Sequence, residues 1–221
     1  MSYRFFVVTL SLAVLCKPFG AVLVPASYLD CTVALGRKDL IPSPPVPPGV
    51  TPPPPSYGPW IPEASGFLYG RFLAKVDEQH NNYAVYLVTN RHVVEEHSAN
   101  SGGGPLWVRF NLTGSAREYD IPLLDEERKP RWHFHPNPSV DIAVIRVNTE
   151  FLKNQGAKFA FFRSDSDVLS RAKAKELGLS EGDGVYVLGF PMGLVSAQQD
   201  YVIVRQGPAL VALGSATWNP L

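Results

Sequence analysis

Apolar and polar positions alternate in short runs along most of this chain, at residues 66–76, 83–89, 106–112, 118–124, 140–147, 157–162, 184–190 and 201–206. The runs are rich in Val, Ile, Tyr and Phe, and Gly, Asn, Asp and Pro separate them. A period of two gives a strand one face for a core, and strands at this spacing assemble into a sandwich or barrel. Tyr28 to Gly36 alternates in the same way and predicts a strand ahead of the others. One segment predicts a helix, Asp167 to Leu177, with Ser166 as N-cap, Ala, Leu, Lys and Glu inside, and Gly178 as its stop. The fold class expected is all-β.

Between Pro42 and Pro62 eleven of twenty-one residues are proline and none is charged. Proline removes a ladder donor and fixes φ, so the stretch predicts neither helix nor central strand. It reads as an exposed polyproline II loop inserted after the first strand. With 45% hydrophobic side chains, 221 residues suffice for one large domain or two small ones. Twenty basic residues balance twenty acidic ones and no basic stripe stands out, which excludes an electrostatic grip on nucleic acid. Two cysteines exclude a disulfide scaffold.

The first residues bear on compartment. Met1 to Arg4 is a short positive start, and Phe5 to Cys16 is an uncharged apolar run too short to span a bilayer core of about 30 Å. Val24-Pro25-Ala26 offers small residues at both positions a signal peptidase inspects. Residues 1–26 are therefore expected to be a signal peptide, with residues 27–221 secreted or periplasmic; an uncleaved, cytoplasmic chain is the alternative. No stable membrane insertion is expected. Cleavage would remove Cys16 and leave Cys31 as a lone, small core residue.

Two segments carry polar groups where the pattern is apolar. In Tyr83 to Val94, YAVYLVTNRHVV, a strand ends at Thr89-Asn90 and His92 follows on the turn, where its neighbours can fix an imidazole that still faces a cleft. In Val140 to Val147, VDIAVIRV, Asp141 opens an apolar strand, so its carboxylate is partly buried and needs a partner. A carboxylate that accepts from one imidazole nitrogen leaves the other as a base, the arrangement that activates a serine hydroxyl.

T-N-R-H-V-V with D-I-A-V-I forty-nine residues on resembles the trypsin/chymotrypsin superfamily of serine proteases, in its bacterial, disulfide-poor branch. Ser65-Gly66-Phe67-Leu68 resembles the strand entering the first barrel. Leu179 to Pro191 (LSEGDGVYVLGFP) resembles the entry strand of the second, and Val202 to Gly207 the strand after it. The resemblance covers roughly residues 28 to 207 and rests on the joint order of the pieces. It implies two antiparallel β-barrels of the chymotrypsin type, the first at about 28–147 with the proline loop 42–62, the second, incomplete, at about 148–221. It implies a serine-type endopeptidase acting on polypeptides, with His92 as base, Asp141 as its orienting partner, and neither metal nor cofactor. Val93 stands where vertebrate-type members carry a cysteine.

The family's serine sits in a G-x-S-G-G type loop after the G-F-P strand, and no such loop follows Pro191. Asn100 to Pro105, NSGGGP, precedes Asp141 and reads as a glycine-rich turn. Ser215 lacks the flanking glycines that build an oxyanion hole, and Ser196 lies too near the G-F-P strand. The chain is thus expected to be an inactive form truncated before its nucleophile, with a non-catalytic, protease-like binding module as the alternative. His92 and His97 are five apart, which fails the H-x-x-E-H zinc spacing. His133 and His135 read as a loop packing on Trp132 and Phe134. Gly182 to Gly184 reads as a hairpin turn, and Asn111-Leu112-Thr113 satisfies a glycosylation sequon.

Overall fold

In a computed structural model of the chain, residues 24–47, 49–98, 105–180, 182–191, 195–196 and 198–208 are described. Residues 1–23 of the expected signal peptide with Cys16, Asn100 to Gly104 of the glycine run, and Ser215 lie outside the described residues. One helical turn, α1 (Ala26–Leu29), leads into β1 (Thr32–Ile41), β2 (Ser56–Lys75) and β3 (Asn81–Thr89), an antiparallel meander. A short helix α2 (Arg91–His97) follows. Then come β4 (Leu106–Asn111), β5 (Ala116–Ile121), β6 (Trp132–Phe134) and β7 (Ala143–Arg146). Helix α3 (Thr149–Asn154), the two-residue β8 (Phe162–Arg163), helix α4 (Arg171–Glu176), β9 (Gly184–Gly189) and β10 (Ile203–Pro208) complete the described chain.

The protein is mostly β and mostly antiparallel. The larger sheet runs β5-β4-β1-β2-β3-β7-β6, with β8 added in parallel to β2, and β9 pairs with β10 in a second sheet. Neither sheet closes on itself. The core lies against the larger sheet, where Leu35, Leu68, Leu87, Leu106 and Val94 are fully buried. Each such side chain gives roughly 1.5 to 3 kcal/mol when removed from water, and together they fix which face of β1 to β4 points inward.

The proline segment departs from expectation in its second part. Ser56 to Pro62 belongs to β2 and pairs with Gly36 to Ile41 of β1, so of the described residues in the segment only 42–47 and 49–55 lie outside the ladder. Pro59 and Pro62 are tolerated because β3 meets β2 only from Phe67 on, which leaves the outer edge of β2 free along Ser56 to Pro62. Register shifts at Leu35/Gly36 and Lys38/Leu40 absorb the missing donors. Gly36 sits at the first shift because a Cβ there would lie 2.1 Å from Ile61 O.

Other boundaries also move. The strand expected at Tyr28 to Gly36 begins at Thr32 and runs on to Ile41, carried by the ribbon. The expected helix shortens to α4, where Ser170 caps the Lys173 N–H, while Asp167 instead ion-pairs with Arg163. Of residues 157–162 only Phe162 pairs in a strand; Phe159 and Phe161 pack on the core as aromatic plugs. Trp132 to Phe134 is a strand rather than a loop, paired with Ala143 to Ile145. Gly182, at φ +91, turns the chain between α4 and β9 and makes no hairpin. Helix α3 was not expected, although Asn148 accepts the Phe151 N–H and Glu150 lies in its first turn, both start signals.

Candidate active site

Strand register delivers the site. Thr89, the last residue of β3, pairs with Ala143, the first of β7, so the residues just beyond each strand end face one another. On the β7 side they form a tight loop after β6. There the Val140 N–H donates to Asn137 O at 3.0 Å, Ser139 N–H to Asn137 Oδ1 at 2.9 Å, and His135 N–H to Ile142 O at 3.2 Å. On the β3 side Asn90 is still extended, and the chain then winds into α2. His92 therefore stands in the first turn of a helix, where the sequence pattern suggested a bare turn. Val93 and Val94 of that turn are buried, and Arg91 holds Glu95 at 2.7 Å while covering the Phe134 ring at 4.6 Å. These contacts fix the rotation of α2 and hence the direction of His92.

Asp141 collects three donors. Its Oδ2 lies 2.7 Å from His92 Nδ1 and accepts from Asn90 Nδ2 at 3.2 Å, while Oδ1 accepts the His92 backbone N–H at 3.0 Å. Burial works to raise the Asp141 carboxyl, but the His92 N–H, the imidazole and the Asn90 amide outweigh it and hold the group below the usual carboxylate range. At neutral pH it is ionised and acceptor-only, so the proton shared between the imidazole and the carboxylate belongs to Nδ1. The Nε2 lone pair is then the basic one. The His92 side chain is half exposed.

Asn90 is the residue that sequence reasoning passed over. It occupies the N-cap position of α2, yet its side chain does not cap the helix. Its amide instead donates to both Asp141 Oδ2 and Asp141 O, each at 3.2 Å. A polar residue directly after an alternating strand and two before a histidine was the available signal.

Comparison of the chain with protein-family models, curated proteins and solved structures finds no match.

The remaining polar candidates are engaged elsewhere. His97, at the other end of α2 and buried, meets Glu63 through Nε2 at 2.9 Å, so the two helix histidines serve different carboxylates. His133 is exposed, and His135 Nδ1 accepts the Asn137 N–H at 3.1 Å. Among the described residues no group of three His, Cys, Asp or Glu side chains could hold a metal ion. Asn111 of the sequon clamps the Asp200 backbone, donating to its O at 2.9 Å and accepting its N–H at 2.8 Å. Cys31 is buried, its thiol pushed up to about 12 by that burial and by Asp167 and Asp30, and Sγ donates to Ser27 O. Ser196 Oγ accepts the Gln198 N–H at 3.3 Å, and among the described residues no hydroxyl or thiol bonds the His92 ring. A cavity of about 230 Å³ opens among Asp30, Thr32, Arg109, Asn111, Asp200 and Val202; it includes neither His92 nor Asp141.

The second sheet is tied to the end of the first that carries the site. Ser65 Oγ accepts the Phe190 N–H at 2.8 Å, and Thr89 Oγ1 donates to Ser65 O at 3.1 Å. The residue after β9 is thereby linked through β2 to the strand end that delivers Asn90 and His92.

Proposed function

We propose that this chain carries the base half of a serine-type endopeptidase site. The observation that carries the reading is the 2.7 Å contact between His92 Nδ1 and an ionised Asp141, on a half-exposed ring. In this reading Nε2 removes the proton from a hydroxyl as its oxygen attacks a peptide carbonyl, and Asp141 stabilises the imidazolium that forms. The imidazolium then returns the proton to the leaving amine, and the acyl-enzyme is hydrolysed by the same base acting on water. The substrate is a polypeptide and the chemistry calls on His92 and Asp141 in those two roles alone.

The finer architecture belongs to the same proposal: a chymotrypsin-type pair of barrels, with β1 to β7 in the first and β9 and β10 in the second. In its support, the two ends of the sheet path, β5 and β6, follow one another in sequence, and Leu124 bridges Pro130 between them. A non-catalytic, protease-like binding module is the second reading. It is favoured by the lack, among the described residues, of a hydroxyl bonded to His92.

The two readings part in one assay. The complete product of the gene should hydrolyse a fluorogenic peptide library, and His92→Ala should lower kcat/KM by about a thousandfold or more while circular dichroism stays unchanged. No hydrolysis by the complete product, or hydrolysis indifferent to His92→Ala, would remove the peptidase reading.

A further inference from the structure

Residues 42–55 hold nine prolines in fourteen positions, and from Leu40 to Pro62 the chain has no charge. The described ones, 42–47 and 49–55, stay outside both sheets, although the segment is anchored at its base: Ile41 pairs with Ser56 and Leu40 with Tyr57. The anchor is packed, with the Tyr57 ring edge-on to Trp107 at 5.2 Å and Lys38 Nζ over the same indole at 4.5 Å. At the far end the Val50 N–H donates to Pro47 O at 3.2 Å across a turn in which Gly49 has φ +89. Glycine meets such a positive φ without strain. Two arms result, 42–47 and 51–55. Proline fixes its own φ and forces the residue before it to extended angles, so a run such as Thr51-Pro52-Pro53-Pro54-Pro55 is set in polyproline II before any partner arrives.

Such an arm offers proline faces, and carbonyls that accept no backbone N–H among the described residues. Leu40, Ile41 and Val50 extend the apolar surface, at 61%, 47% and 58% exposure. Nothing in the arm demands a charged partner. We propose that the Thr51–Pro55 arm is a ligand for a partner domain that reads polyproline II through a groove of aromatic rings. The rings stack on the prolines, and an indole N–H or a tyrosine O–H donates to the free carbonyls. The second arm is preferred over the first because its prolines are uninterrupted and all exposed, whereas Val46 of the first arm is half-buried. Because proline restricts the arm and the pairing of Ser56 with Ile41 holds its base, binding forfeits little chain entropy. This inference is independent of His92 and Asp141.

The test adds the unlabelled chain to four 15N-labelled polyproline-reading proteins, an SH3 domain, a WW domain, an EVH1 domain and a profilin, and follows their groove indole N–H resonances. At least one should shift saturably. Pro53→Ala with Pro54→Ala should weaken that binding about tenfold or more, while Pro44→Ala with Pro45→Ala should leave it within about twofold. Both double variants should melt like the parent, since every substituted residue is exposed. No saturable shift in any of the four, or equal binding by the Pro53/Pro54 variant, would overturn the proposal.

Discussion

Asp141 and Asp200 are carboxylates that their surroundings push in opposite directions. Asp141 accepts from three N–H groups and sits below the usual carboxylate range. Asp200 has neither oxygen hydrogen-bonded; burial raises it to about 6, against the pull of Arg109 at 3.5 Å and with the push of Glu118, which shares Arg109 and also holds Lys38. A lowered folded-state pKa gives stability that is present above the ordinary range and lost as pH falls through it. Asp141→Asn should therefore lower the melting temperature at pH 7, with the gap to the parent closing below about pH 4. For Asp200 the sign reverses: the neutral form favours the fold, and that contribution is lost as pH rises through about 6. Asp200→Asn should melt at or above the parent at pH 7.5, and fall back toward it near pH 4; melts at both values check this. Cys31, raised to about 12 and buried, should resist a disulfide reagent at pH 8 until denaturant is added. His92 and Asp141 were legible as a pair because each interrupts an apolar pattern. Asp200 was not, since nothing in Ala197-Gln198-Gln199-Asp200-Tyr201 marks burial imposed by distant Asn111 and Arg109.

At the scale of elements, alternation found strands that bury side chains in the core, β3 and β4 among them, and missed what depends on partners. The Ser56–Pro62 half of β2 was hidden because its prolines veto a central strand, and only the pairing shows that β1 lies on one side of it while β3 begins at Phe67 on the other. Helix α2 was hidden because Arg91 to His97 is too short to display a helical period; burial of Val93 and Val94 makes it a helix. These facts separate two deletions. Replacing residues 43–54 by a short Gly-Ser bridge should change stability by less than about 1 kcal/mol, because closure entropy grows only with the logarithm of loop length. Extending the deletion through Pro62 also removes paired rungs and the Glu63 approach to His97, and should cost clearly more in a urea titration. Gly36→Ala, which sets a Cβ 2.1 Å from Ile61 O, should cost about 1 to 3 kcal/mol in the same titration.

Over the whole molecule, the order of strands does what no single motif could. Chain neighbours β1, β2 and β3 lie side by side, β7 returns to the free edge of β3, and this return sets Asp141 beside His92 from forty-nine residues away. The all-β class was readable from the period of two, whereas closure was not, because it depends on the two outer edges, β5 and β6, and the sequence gives no register for residues that do not pair. The link from Ser65 to Phe190 and Thr89 ties the second sheet to the same end of the first, so a change in register anywhere along β3 would move the whole site. The central claim is that this assembly holds an imidazole with Nδ1 protonated and Nε2 basic. Long-range 1H–15N spectra of the His92 ring test it most directly. With the ring neutral the account predicts the Nδ1–H tautomer in the parent and its loss in Asp141→Asn; a parent ring in the Nε2–H tautomer, or one averaged like free imidazole and unchanged by Asp141→Asn, would contradict it.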